Sequence, residues 1–232
     1  MIFLPVILVL ISGAIAAVVF NKLTHAGAVA GIMLGFVIFL GVGWIGISFM
    51  SVFFLLGTAA TLWGRREKEK LGVAQGAKGR RNAGQVIANG GAGGLIGLAA
   101  FVFPQYVQLL IIMMAAAFSS ATADTLSSEL GTIYGRRFYN ILSFKKGIKG
   151  RDGVISAEGF LFGIAGSVFI AMLYAMAFGW SLALFWIVIA GTIGNLTDSL
   201  LGATLERNKS IGNDTVNFLN TATAALFILL IY

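Results

Sequence analysis

The chain contains no cysteine and a single histidine, His25, among its 232 residues. Disulfides, thiolate nucleophiles and cysteine-based zinc sites are therefore excluded. One imidazole in a short basic turn is too few for a histidine metal centre and reads as an interfacial polar residue. Charge is scarce as well: Asp, Glu, Lys and Arg make up 11% of the chain, against roughly 25% in soluble domains. There is no Walker loop, no glycine-rich strand-to-helix turn and no room for a dinucleotide-binding unit. A nucleotide would have to be held by loops and helix ends. The longest polar connections are too short to bury a core of their own, so no separate soluble domain is expected.

What fills the chain is apolar sequence, 58% of it, with a mean hydropathy of +0.93. A bilayer core of roughly 30 Å requires about 17 to 25 apolar residues per helix. Eight stretches meet that need: 2–20, 27–43, 44–63, 85–103, 106–123, 157–178, 181–200 and 214–232. The expectation is an all-α polytopic helix bundle of eight transmembrane spans, forming one integral membrane domain over 1–232 in the cell membrane. Glycine is plentiful, with 31 residues, and small residues let helices approach closely in lipid. The first stretch has no basic flank before it, so it is expected to be a retained helix and not a cleaved signal.

All 16 Lys and Arg residues fall in alternate connections. Lys22 follows the first span; Arg65, Arg66, Lys68, Lys70, Lys78, Arg80 and Arg81 follow the third. Arg136, Arg137, Lys145, Lys146, Lys149 and Arg151 follow the fifth, and Arg207 and Lys209 the seventh. The turns around Gly43, Phe103 and Gly179 carry no charge. By the positive-inside rule the basic loops are expected to be cytoplasmic and both termini outside. Lys22, Arg65, Arg66, Lys68 and Lys70 read as the basic residues that insertion itself requires, and Glu67 and Glu69, alternating with Arg66, Lys68 and Lys70, as part of a solvated face.

Short echoes recur at the same ends of alternate spans: AATL at 59–62, ADTL at 123–126 and TDSL at 197–200, with HAGAV at 25–29 resembling NAGQV at 82–86. They suggest hairpin repeats over 24–64, 80–131 and 151–206, arranged as parallel repeats that meet at a site. Ala60 stands where the other two copies carry Asp124 and Asp198.

An ionisable residue inside a membrane span is expensive and by default functional. Asp124 and Asp198 are the clearest cases. Asn195 lies on the face of Asp198, three residues earlier, with Glu206 beyond it. Glu129 is five residues from Asp124, about 140° around a regular helix. The two can share a ligand only if the helix ends between them, a break that Gly131 would allow. In the last span Asn213, Asp214 and Asn217 form another polar face, where Asp214 reads equally as a helix-start residue favoured by the dipole. The cations of GRRNAG at 79–84 and SFKKGIKGRDG at 143–153 lie at the same end. Carboxylates holding Mg²⁺ beside Arg and Lys are the usual equipment for phosphoryl or nucleotidyl transfer.

Taken in order, GRRNAGQVIANGG, ADTLSSELG, RDGVISAEG and GNLTDSLLGATLE resemble the integral-membrane family that contains plant phytyl-phosphate kinase, domain of unknown function ninety-two. The resemblance implies phosphoryl transfer from a nucleoside triphosphate to a prenyl monophosphate. The chain is more distantly similar to CDP-diacylglycerol synthases and CTP-dependent polyprenol kinases through Asp124-Thr125, Gly135-Arg136, Ser143 with Lys145-Lys146, Glu158-Gly159 and Gly194 to Ser199. Here Phe144 replaces a proline, Asn195 the first acid, and Asp198 a glutamate. That similarity favours CTP as donor.

The resulting expectation is a Mg²⁺-dependent enzyme with its site facing the cytoplasm. Asp124 and Asp198 would bind metal, with Glu129 and Asp214 in support. Arg80, Arg81, Lys145, Lys146 and Arg151 would hold phosphates, while Asn82, Glu158, Asn195, Asn213 and Asn217 would orient substrate or nucleotide. Its partners would be the bilayer, a prenyl phosphate and a nucleoside triphosphate, with no nucleic acid; a homodimer is compatible with the sequence. The rival readings are a cytidylyltransferase acting on a lipid phosphate and a small-solute transporter.

Overall fold

The computed structural model describes residues 3–72 and 79–232. Ile2 and Lys78, placed by the sequence in the first span and the second basic loop, lie outside the described residues. All eight apolar stretches are helical. They form α1 (Leu4–Val19), α2 (His25–Val42), α3 (Trp44–Leu62), then a short amphiphilic α4 (Arg65–Lys70), α5 (Ala83–Val102), α6 (Val107–Tyr134), α7 (Ala157–Phe178), α8 (Leu182–Leu201) and α9 (Asn213–Ile231). Seven of these are long and apolar enough to cross a bilayer, whereas α1 has 16 residues. At 1.5 Å per residue α1 spans about 24 Å, short of a full hydrocarbon core.

The starts of α2, α5 and α7 are closed by side-chain caps, as orphan N–H groups at helix starts require. Thr24 Oγ1 accepts from Gly27 N at 3.0 Å, and Ser156 Oγ accepts from Gly159 N at 3.1 Å. Asn82 and Gln85 form a reciprocal capping box at the start of α5. At the opposite end of the bundle the chain reverses at Gly43 and Gly179, whose φ values of +69° and +85° a residue with a Cβ rarely adopts.

The axis of the bundle is α6. Every residue from Ile111 to Ala123 is buried, which matches a helix that is apolar or small all round. Its run of Ala and Ser lets α3, α5, α7, α8 and α9 pack against it, while α2 packs on α5 and α1 on α2. The main core joins Phe49, Phe53, Met114, Phe118, Ile170 and Ile187.

Two features depart from the sequence expectations. First, α6 does not end near Asp124 but continues to Tyr134. Thr125, Ser128 and Thr132 return hydrogen bonds to the carbonyls of Ala121, Thr125 and Ser128 at 2.9, 3.2 and 2.7 Å, so these hydroxyls are satisfied within the helix. Gly131 is not a breaker; it is where α7 crosses, since a Cβ there would lie 2.8 Å from Gly159 Cα. Second, the loop after α6 contains an antiparallel pair, β1 (Phe138–Asn140) with β2 (Val154–Ser156), in the register Phe138 opposite Ser156. Gly153, at φ +70°, packs this pair against Ala203 in the π-helical turn Gly202–Glu206 that ends α8.

Candidate active site

The polar inner ends of α5, α6, α8 and α9, covered by the β1–β2 loop, enclose a cavity of about 190 Å³. Asp124 from α6 and Asp198 from α8 meet there, their side chains within hydrogen-bonding reach of each other. Asn220 of α9 donates from Nδ2 to Asp198 Oδ1 at 2.8 Å and accepts from Ser120 Oγ of α6 at 3.2 Å. Three helices are thereby locked to one carboxylate. Asn195, one turn before Asp198, is buried beside Gly163 of α7, where a Cβ would stand 2.5 Å from its Nδ2. The π-helical turn brings Glu206 to the rim, near Asp152 of the covering loop. Such turns are frequent at functional sites.

Glu129 also faces this cavity, although α6 is continuous between it and Asp124. The cavity wraps far enough around α6 to reach both, so the helix break expected between them is not needed. Lys68 holds Glu129: its Nζ lies 2.5 Å from Glu129 Oε2 and donates to the Ala60 carbonyl at 2.8 Å. Lys68 is 1% exposed and Glu129 3%, so Lys68 is not part of the solvated face that its sequence suggests. α4 folds under the bundle and buries it. The second oxygen of Glu129 is buried without a hydrogen-bond partner among the described residues.

Cations reach the cavity from two sides. Arg81 lines it with its guanidinium stacked on Phe53 at 5.0 Å from the ring centroid and on Phe54 at 6.0 Å. Burial lowers the Arg81 guanidinium to about 10, with Glu129 opposing the shift, so it stays charged at neutral pH. Gly57 makes room for it, since a Cβ there would lie 2.5 Å from Arg81 Nη2. Arg151 enters from the covering loop, and Asn213 and Asn217 line the wall formed by α9.

Other expected residues stand elsewhere. Lys145 and Lys146 are exposed on the hairpin loop, away from the cavity lining. Asn82 caps α5. Asp214 lies in the first turn of α9 against Gly84 of α5. Glu158, in the first turn of α7, accepts from Arg136 N at 3.4 Å. Arg80 has a buried Nε without a hydrogen-bond partner among the described residues and does not line the cavity.

The sequence reading missed Asn220 and Lys68, which hold Asp198 and Glu129, and passed over Asp152, Gln85 and Asn89, which line the cavity. Asn220 continues the spacing of Asn213 and Asn217 along one helical face. Asn89 follows Gln85 by one turn in the same way. Lys68 has no such signal.

Among the described residues, no three His, Cys, Asp or Glu side chains are grouped to hold a metal by themselves. The donor set is instead two carboxylates in contact, flanked by amides. Mg²⁺ is commonly bound by one or two carboxylates together with substrate phosphates and water, so Asp124 and Asp198 fit that ion in the presence of a nucleotide. Two half-buried carboxylates in contact repel each other, and a bound cation removes that repulsion.

These features define a polytopic membrane protein whose polar site is built from carboxylates and amides at one end of the bundle. The chain belongs to the family described as Integral membrane protein DUF92, which matches residues 7–225. It is 32% identical over 225 residues to Protein VTE6, chloroplastic, of Arabidopsis thaliana, covering 90% of this chain and 65% of that protein. It thus spans somewhat less than two thirds of that relative. An uncharacterized membrane protein of Synechocystis sp. is 33% identical over 219 residues, covering 91% of this chain and 84% of the relative. One from Methanocaldococcus jannaschii is 30% identical over 211 residues, covering 90% and 86%. No solved structure matches the chain.

Proposed function

We propose that the chain is a Mg²⁺-dependent prenyl-phosphate kinase that transfers a phosphoryl group from a nucleoside triphosphate, CTP being favoured, to a prenyl monophosphate. The observation that carries this reading is the contact between Asp124 and Asp198 within a cavity that Arg81 and Arg151 also line. Acids alone would repel a phosphate, and arginines alone would only bind one; the combination suits phosphoryl transfer.

Asp124 and Asp198 would hold Mg²⁺, which when bound neutralises charge on the phosphates and aligns them. Arg81 and Arg151 supply donors to phosphate oxygens, Arg in bidentate fashion. Asn195, Asn213 and Asn217 orient the polar groups of the two substrates, and Asn220 fixes the rotamer of Asp198. The acceptor monophosphate is already ionised, so its oxygen attacks the terminal phosphorus without a base. The bond to the bridging oxygen breaks and the nucleoside diphosphate leaves. By the positive-inside rule the basic loops support a cytoplasmic site with both termini outside.

A transporter would need polar groups near the bilayer midplane and access from both faces, whereas the charged groups here gather at one end. The test is incubation of the purified protein with Mg²⁺, CTP or another triphosphate, and phytyl, geranylgeranyl or farnesyl monophosphate. A prenyl diphosphate is the expected product. A CDP-lipid would replace the kinase by a cytidylyltransferase. No product with any donor, together with protein-dependent solute flux in vesicles, would replace it by a transporter.

A further inference from the structure

Beside the polar site lies a second, larger cavity of about 630 Å³ bounded mainly by α1, α2 and α3. We propose that it receives the isoprenoid chain of the phosphate substrate, an inference that rests on the prenyl-phosphate reading above. Its walls are aliphatic and aromatic, including Leu10, Ile32, Ile47, Phe53 and Phe54. A dry cavity of about 150 Å³ holds benzene, roughly 25 Å³ per carbon. On that scale the cavity has room for on the order of twenty-five carbons, enough for a twenty-carbon chain.

Arg81 stands between the two cavities. Its guanidinium lies on the rings of Phe53 and Phe54, which line the apolar cavity, while the same side chain lines the polar one. Lys22 stands at the same end of the apolar cavity. Its carbonyl accepts from Arg81 N at 2.9 Å, and Thr24 N donates to Arg81 O at 3.0 Å, tying the turn between α1 and α2 to that arginine. An apolar cavity bordered at one end by Lys22 and Arg81 matches a molecule whose anionic head is followed directly by hydrocarbon.

Gly13 and Gly31 line the middle of the channel, and a Cβ at either would meet nothing within 4 Å. Helix-to-helix contact therefore does not explain these two glycines, unlike Gly131; open space does. Each is six residues from the polar end of its helix, counted from Val19 in α1 and His25 in α2, or about 9 Å along the axis. A large side chain at either position would shorten the channel without touching the polar site.

The experiment compares full-length protein with Gly13→Phe and Gly31→Phe, using dimethylallyl phosphate and geranylgeranyl phosphate as acceptors. The KM for the long acceptor should rise at least roughly tenfold, while that for the five-carbon acceptor stays within about twofold. Equal loss on both acceptors, or no change on either, overturns the proposal. A geranylgeranyl phosphate carrying a diazirine at its far end provides a readout independent of turnover and of the variants. Label on peptides of α1, α2 or α3, competed by unlabelled geranylgeranyl phosphate and not by phosphatidylglycerol, supports the channel. Label confined to other helices, or competed equally by the phospholipid, overturns it. Label in the channel without turnover on any donor would keep the chain subsite and remove the kinase; turnover with label elsewhere would do the reverse.

Discussion

Asn220 contributes two hydrogen bonds that tie Asp198 to α6, and groups that hold a metal ligand in place typically matter 10- to 100-fold in metal affinity or activity. Asn220→Ala is therefore expected to raise the Mg²⁺ concentration needed for half-maximal turnover by roughly tenfold or more, read from an activation curve. A merely structural role would lower turnover without moving that midpoint. The buried pair of Lys68 and Glu129 makes a separate prediction. Removing one partner of a buried pair leaves an uncompensated charge, at about 3 to 5 kcal/mol. Lys68→Met should lower thermal stability in detergent strongly, and Lys68→Met with Glu129→Leu should recover most of the loss. At this scale Asp124, Asp198, Asn195 and Asn217 were legible because each interrupts an apolar run. Lys68 was not, since the alternation in RREKEK reads as a solvated helix and its burial depends on how α4 folds under its neighbours.

Among the elements, α6 decides the geometry of the site. Its 28 residues extend about 42 Å, beyond a hydrocarbon core of roughly 30 Å, and carry Glu129 and the Gly131 crossing past the apolar stretch. Composition located the apolar half and misplaced the end, because Ser and Thr that bond back into their own helix look like loop residues in sequence. Gly131→Val would force α6 and α7 apart at a backbone contact, and overpacking of this kind costs about 1 to 3 kcal/mol. A lower melting temperature, with the loss partly spared in Gly131→Ala, is the expected result in a thermal unfolding series. The β1–β2 pair left no periodic signal, since strands of three residues are too short to show alternation. It nevertheless supplies Arg151 and Asp152 to the cavity.

For the whole molecule, the pattern of spans and the one-sided placement of charge were readable from hydropathy alone. How α1 leans on α2 to leave a channel was not, because that depends on tertiary packing with no local signature. The absence of cysteine turns orientation into a clean measurement. Phe144 and Trp180, each 77% exposed, lie at opposite ends of the bundle. Trp180→Cys should react with a membrane-impermeant maleimide in intact cells, and Phe144→Cys only after the inner face is opened; the opposite pattern would reverse the assignment of the site to the cytoplasm.

The claim on which the functional account turns is that Asp124 and Asp198 hold one divalent ion together with a nucleotide. Electron paramagnetic resonance of Mn²⁺ added to the purified protein with CTP measures this directly. The account predicts one bound ion per chain, displaced by Mg²⁺ and lost in both Asp124→Asn and Asp198→Asn. Undiminished binding in those two variants would contradict it.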